Sequence, residues 1–254
     1  MKISIITAVY NRKATIAHAI ESCGSQSFSN IEHIIQDGGS TDGTLELARA
    51  LAGPGVKVYS EADKGIYDAL NKGIQRATGD VIGLLHSDDF FASESVIEKV
   101  ASILERSEAD GVYGDLQYVS SHEPHSVIRN WRAGEYNPSN LSRGWMPPHP
   151  TLYLKREVFE RWGLYDTSFR IAADYDAILR WLGIGKISLV YIREVLVKMR
   201  LGGESNRSLY HLIRKSSEDY RALRQNQIGG ARALFLKNVS KLGQFFHWST
   251  GKDR

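Results

Sequence analysis

The sequence predicts an α/β fold in which a mostly parallel sheet is flanked by helices. Three observations carry that prediction. Four short runs rich in β-branched residues alternate with helical stretches over residues 1–90. Each run ends in a polar or glycine-rich cluster, and a chain of 254 residues, 42% hydrophobic, can enclose the core such a sheet needs without disulfides.

The first run, Ile3 to Val9, reads as a buried strand that stops at Tyr10-Asn11-Arg12. From Ala14 to Cys23 apolar residues fall at helical spacing. Ile31 to Gln36 forms a second strand, ended by Asp37-Gly38-Gly39-Ser40-Thr41-Asp42-Gly43, where Thr41 or Asp42 can cap a helix starting near Leu45. Val56 to Tyr59 is a third strand, Ile66 to Ala77 a helix, and Asp80 to Leu85 a fourth strand that runs into His86-Ser87-Asp88-Asp89. In such sheets ligands bind outside the carboxyl ends of the strands, so Thr7 to Asn11, Asp37, the loop at Asp63 and the Asp88-Asp89 pair mark one rim.

Beyond a helix from Ser93 to Leu104 the pattern is less regular. Gly111 to Val119 and Val127 to Trp131 look like strands, and Arg143 to Pro150 is a proline-rich loop. Arg156 to Trp162 and Asp174 to Leu182 look helical, and Ile187 to Tyr191 and Val195 to Met199 look extended. Gly202-Gly203 breaks the chain before two basic helical stretches. With no repeat or low-complexity linker, the economical division is a body over residues 1–205 and a helical extension over 206–254.

Charge divides the same way. The net +3 splits into +7 for residues 206–254, with ten Lys/Arg against three Asp/Glu, and −4 for the rest. In the extension, Phe235, Val239, Leu242 and Phe246 recur at helical spacing, with Lys237 and Lys241 off that stripe. Such a face can pack on the body, join a second copy in a homodimer, or lie on an anionic membrane, where each basic residue contributes about 1 kcal/mol. No recognisable motif supports nucleic-acid binding. One cysteine, Cys23, excludes a disulfide framework and a Cys-based zinc site, and suits a reducing, cytoplasmic setting. No apolar run approaches the roughly 18 residues of a membrane span, and no signal-peptide core precedes the first strand.

Adjacent Asp88 and Asp89 would repel one another unless a cation compensates, which suggests a hard divalent ion completed by substrate phosphate. As a bare pair, Asp89 more simply caps the next helix. Asp37 reads either as a turn aspartate or as an acceptor for a base or ribose. The P-loop, G-x-G-x-x-G, H-E-x-x-H and G-x-S-x-G signatures are absent, which disfavours P-loop NTPases, ordinary dinucleotide enzymes, zincins and α/β-hydrolases.

Four ordered pieces, Ser4 to Asn11, Gln36 to Thr44, Asp63-Lys64-Gly65-Ile66-Tyr67-Asp68 on to Gly73, and Thr78 to Asp89, together resemble an inverting glycosyltransferase of family 2 with the GT-A fold. The second and third look most like the branch found in bacterial O-antigen, capsule and exopolysaccharide assembly. The resemblance implies a nucleotide-binding half over 1–90 and an acceptor-side half over 91–205. It places Thr7 and Tyr10 in a nucleobase pocket, Asp37 on the base, and Asp63 with Lys64 against the nucleoside. It also implies Mn²⁺ or Mg²⁺ at Asp88, with Asp89 nearby; His86 stands where the first metal-motif aspartate is usual. Asp174 matches the catalytic base, although Ala173 replaces the usual Glu before it.

The same resemblance makes His149 an acceptor or phosphate contact, and Gly202 to Ser205 a loop over the diphosphate that works with Arg200 or Ser205. Trp145 becomes either lobe packing or a sugar-stacking platform. The implied partners are a nucleoside-diphosphate sugar, UDP-linked, and a glycan or polyprenyl-diphosphate-linked acceptor, at the inner face of the cell membrane. The competing readings are a sugar nucleotidyltransferase, which would need a glycine-rich basic loop where Tyr10-Asn11-Arg12 stands, and a catalytically decayed sugar-nucleotide binder. Asp176 is expected to support the helix or to pair with Arg180 at i+4.

Overall fold

The computed structural model describes residues 1–121, 123, 126–201 and 209–246. Its α/β body holds a nine-stranded sheet built from β1 (Ile3–Val9), β2 (Ile31–Asp37), β3 (Val56–Ser60), β4 (Val81–Leu84), β5 (Phe90–Phe91), β6 (Gly111–Val119), β7 (Val127–Trp131), β8 (Tyr153–Lys155) and β9 (Leu189–Arg200). The order is β3-β2-β1-β4-β8-β6-β9-β5, with β7 paired to β6. The long ladders are parallel: β1 with β2 and β4, β2 with β3, and β6 with β9. Short antiparallel pairings through β8 join the two parallel groups and leave β4, β6 and β9 pointing the same way. The ends of β1, β2, β4 and β9 therefore deliver Tyr10, Asp37, His86 and Arg200 to one rim.

β1 is buried along its whole length because helices cover both faces. Ile3 and Ile5 pack with Ala19 of α1 (Ile16–Gly24) and with Val96, Ile97 and Val100 of α4 (Val96–Arg106). Ile6 and Ala8 pack on the other side with Ala69, Leu70 and Ile74 of α3 (Ile66–Arg76). α2 (Thr44–Ala50) has Gly43, at φ +90°, as its N-cap and not the expected Thr41 or Asp42; Asp42 stands one residue earlier, where its Oδ1 accepts the Thr44 N–H at 2.9 Å in a turn that leads into the helix. Cys23 is a buried filler whose thiol burial pushes up to about 12.

Three differences from the sequence reading have physical causes. The extended pieces 187–191 and 195–199 are one strand, because the β6–β9 register jumps from Gly114–Ile192 to Asp115–Val195 and absorbs Arg193 and Glu194 as a bulge. β5 and β8 span two and three residues, too short for alternation to show. α6 (Ala173–Leu179) ends earlier than expected and continues as a π turn over Arg180–Ile184. The expected Arg180–Asp176 pair forms at 3.4 Å.

The described part of the extension packs on the body, so the boundary at Ser205 is not a break in packing. α7 (Leu209–Gln225) lies on α6, with Ala222 and Leu223 fully buried. α8 (Ala231–Phe246) turns Ala233 and Lys237 inward, and Lys237, 1% exposed, pairs with buried Asp219 at 2.8 Å beneath the Tyr175 ring. Phe235, expected on the apolar stripe, is 65% exposed. The stripe's phase is thus reversed where it can be seen; the side chains of Val239, Leu242 and Phe246 lie outside the described residues. Among the described residues no helix is long and apolar enough to cross a membrane.

Candidate active site

At the β1–β2 end, Tyr10 is 57% exposed and its ring edges the backbone of Gly38, over which the Asp63 carboxylate lies. A Cβ at Gly38 would collide with Asp63 Oδ2. Asp63 Oδ1 accepts the Gly65 N–H at 2.8 Å, which fixes the loop. Tyr10, Gly38 and Asp63 thus form a slot with an aromatic face and a carboxylate edge. Lys64 is exposed beside it, its N–H on Asp68 at 3.0 Å. Asp37 sits under the slot, fully buried, accepting the Gly39 and Ser40 N–H groups at 3.1 Å and the Ser60 hydroxyl at 2.6 Å.

Thr7 is a correction. It has no exposed surface, donates to the Leu85 carbonyl at 2.8 Å and lies 2.9 Å from His33 Nε2. With its proton on Leu85, Thr7 accepts from His33 Nε2–H, and burial keeps that imidazole neutral by pushing its pKa down to about 4. The pair therefore belongs to the core beneath the rim. Asn11, at φ +50°, has the more direct part: its side chain accepts the Thr41 N–H and its own N–H donates to Ser40, tying β1 to the loop after β2.

At the end of β4 the two aspartates separate. Asp88 is half-buried at the rim, while Asp89 is 1% exposed and accepts the Arg200 N–H at 3.2 Å. Burial, reinforced by the Asp88 charge, pushes the Asp89 carboxyl well above the ordinary range, and its Oδ2, also buried, has no hydrogen-bond partner among the described residues. It does not cap α4. Among the described residues no three His, Cys, Asp or Glu side chains gather to hold a cation unaided. That donor set fits Mg²⁺ or Mn²⁺ held by Asp88 and completed by substrate phosphates. Arg200 donates to the Asp88 carbonyl at 2.6 Å and to His18 Nδ1 and lies over Phe90, which braces the turn. Ser205 and Gly202-Gly203 lie outside the described residues.

A row of side chains runs from this turn to α6. His86 Nε2 lies 2.9 Å from His149 Nε2, His149 Nδ1 lies 3.2 Å from Asp174 Oδ2, and the Tyr67 hydroxyl, 2.7 Å from the Ile171 carbonyl, shares its proton between that oxygen and Asp174 Oδ1 at 3.1 Å. Burial keeps His149 neutral, with its pKa pushed down to about 4. The network then assigns Nδ1–H of His149 to Asp174 and Nε2–H of His86 to His149. Burial opposes ionisation of Asp174, but the facing His149 and the charges of Lys215 and Lys237 hold its carboxyl below the ordinary range. An ionised carboxylate, 15% exposed, thus stands at the rim.

His149 therefore bridges the β4 turn and Asp174. Trp145 takes the packing alternative: its indole N–H donates to Ala133 at 2.9 Å and its ring stacks on Tyr136. Sequence reasoning missed Tyr67 as a partner of Asp174, although Tyr67 lay inside a quoted motif. It also missed Glu218, which accepts the N–H groups of Arg170, Ile171 and Ala172 just ahead of α6.

This sheet is that of the GT-A glycosyltransferase fold. The chain superposes over 98% of its length on residues 1–349 of Staphylococcus aureus TarS, with a TM-score of 0.67 and 17% identity, covering 73% of that fragment. On the mannosyltransferase PcManGT from Pyrobaculum calidifontis, solved with GDP-Man and Mn²⁺, the TM-score is 0.65 at 18% identity, with 98% and 70% of the chains covered. It spans 44% of the longer TarS chain.

The family model described as glycosyl transferase family 2 matches residues 4–170, and the chain belongs to that family. It is 29% identical over 209 residues to a PGL/p-HBAD biosynthesis glycosyltransferase of Mycobacterium bovis, covering 80% of this chain and 78% of that one. To an uncharacterized glycosyltransferase of Mycobacterium tuberculosis it is 33% identical over 190 residues, covering 70% and 68%.

Proposed function

We propose that this glycosyltransferase moves a sugar from a nucleoside-diphosphate sugar, UDP-linked, to a hydroxyl of a glycan or lipid-linked acceptor in bacterial surface polysaccharide assembly, by one displacement that inverts the anomeric centre. The observation that carries this reading is the row from the Asp88 turn through His86 and His149 to an ionised Asp174. Tyr10, Gly38 and Asp63 would receive the nucleobase and ribose, with Asp37 bracing the loop beneath. A cation at Asp88 would offset the charge that develops on the departing diphosphate.

Asp174 takes the proton of the acceptor hydroxyl as its oxygen bonds to the anomeric carbon and the bond from that carbon to the diphosphate oxygen breaks. His149 on one oxygen orients the carboxylate, and the Tyr67 hydroxyl, anchored on the Ile171 carbonyl, borders the other. No covalent nucleophile is required. UDP as the nucleotide is supported by TarS 1–349, solved with UDP and with UDP-GlcNAc. Contact with the membrane's inner face is supported by exposed Ile213, Tyr220 and Phe235 on a basic extension. Asp174→Asn is the test: it should abolish transfer and retain nucleotide binding, and near-normal turnover would overturn the base assignment.

A further inference from the structure

α7 brings to Asp174 a charge that the transfer step leaves unused. The helix is pinned against the start of α6 by three groups: Glu218 on the N–H groups of residues 170–172, Asp219 with Lys237 at Tyr175, and Asn226 on Asp176 at 2.8 Å. Lys215 precedes Glu218 by three residues and Asp219 by four, so it projects from the same face one turn earlier. It is half-buried, and its charge acts on both Asp174 and His149.

Its basic neighbours are engaged: Arg214 with Glu218 at 3.2 Å, Arg221 over the Phe169 ring at 3.7 Å, Lys237 with Asp219. Lys215 makes no hydrogen bond or ion pair among the described residues. Its charge faces Asp174 only at a distance, and its N–H donors are open to a bound anion. The row of side chains also places it. Donor phosphates belong at Asp88, beyond His86, whereas its helix phase, one turn before the Glu218 clamp on residues 170–172, puts Lys215 on the Asp174 side, where the acceptor hydroxyl must arrive.

We propose that Lys215 binds a phosphate or diphosphate group carried by the sugar acceptor. This rests on the reading of Asp174 as the base and narrows the acceptor to one that carries an anion near the attacking hydroxyl. The extension thereby contributes to the site through Lys215 as well as through the Glu218 clamp.

The test is calorimetric titration of the full chain, saturated with UDP and Mn²⁺, with geranyl diphosphate as a soluble phosphate ester and geraniol as its neutral control. Separate titrations with UDP report the donor site and show that each variant is folded. Wild type should bind the diphosphate and not the alcohol. Lys215→Met should weaken geranyl diphosphate by about tenfold, as expected for loss of a charge-assisted contact, with UDP affinity unchanged, and Lys215→Arg should keep most of it. Equal binding by Lys215→Met and wild type, or wild type failing to prefer the diphosphate, overturns the proposal. Loss of UDP affinity in Lys215→Met instead gives the lysine to the donor and overturns the acceptor assignment. An active Asp174→Asn enzyme would sink the base while leaving these titrations unchanged, so the two failures read separately.

Discussion

His149 Nδ1 lies 3.2 Å from Asp174 Oδ2, and the other nitrogen of the same ring lies 2.9 Å from His86. A loop residue thus fixes the carboxylate on α6 and ties it to the turn after β4.

His149→Ala should therefore lower kcat by about a hundredfold, the scale of a misplaced general base, with the dissociation constant for UDP little changed. Steady-state kinetics beside nucleotide titration measures both; an unchanged kcat would remove His149 from the machinery.

Gly38 lies where only a hydrogen fits beneath Asp63. Gly38→Ala should weaken UDP binding by about tenfold, because the carboxylate must leave its place, while the melting temperature falls little. Nucleotide titration and thermal melts check the two halves.

The aspartates after β4 should respond differently to the same change. Asp88→Asn should abolish the stimulation of transfer by Mn²⁺. Asp89→Asn keeps the acceptor for the Arg200 N–H and lies behind the rim, so it should retain most activity. Metal titrations of transfer in both variants, after chelator treatment, decide; equal losses would contradict the separation.

Buried Glu32 links β2 to β1 and to the start of β4. Burial opposes its ionisation, but Lys57, the Thr78 N–H and hydroxyl, and Ser4 together bring its pKa down to about 2. A folded pKa below the unfolded one means stability present at neutral pH and lost as acid protonates the unfolded chain first. The contribution, on the order of 2 kcal/mol, should fade between about pH 5 and pH 2. Urea midpoints for wild type and Glu32→Gln should differ at pH 7 and converge near pH 2; a constant gap would refute the assignment.

The rim was legible in the sequence because its residues follow buried strands and lie within short ordered motifs, such as Asp63 to Gly73. Thr7 was misplaced because β1 is buried on both faces, so no alternation reveals which side chains reach the surface. Asp88 and Asp89 look alike as a pair, and only the arrival of Arg200, 111 residues on, pulls one inward. The Glu218 clamp is equally long-range: an Arg214–Glu218 pair at i+4 reads as a solvated helix face, and nothing local announces three backbone N–H groups from residues 170–172. Phe235 and Lys237 exchange the environments hydropathy suggests because Asp219 supplies a buried partner for the lysine.

The central claim is a single displacement driven by Asp174. The nucleotide sugar that raises the melting temperature most in the presence of Mn²⁺ selects the donor. Proton NMR of the transfer product then reads its anomeric configuration at early times. An α-linked donor should give a β-linked product with no glycosyl-enzyme detectable by mass spectrometry; an α-linked product would contradict the account.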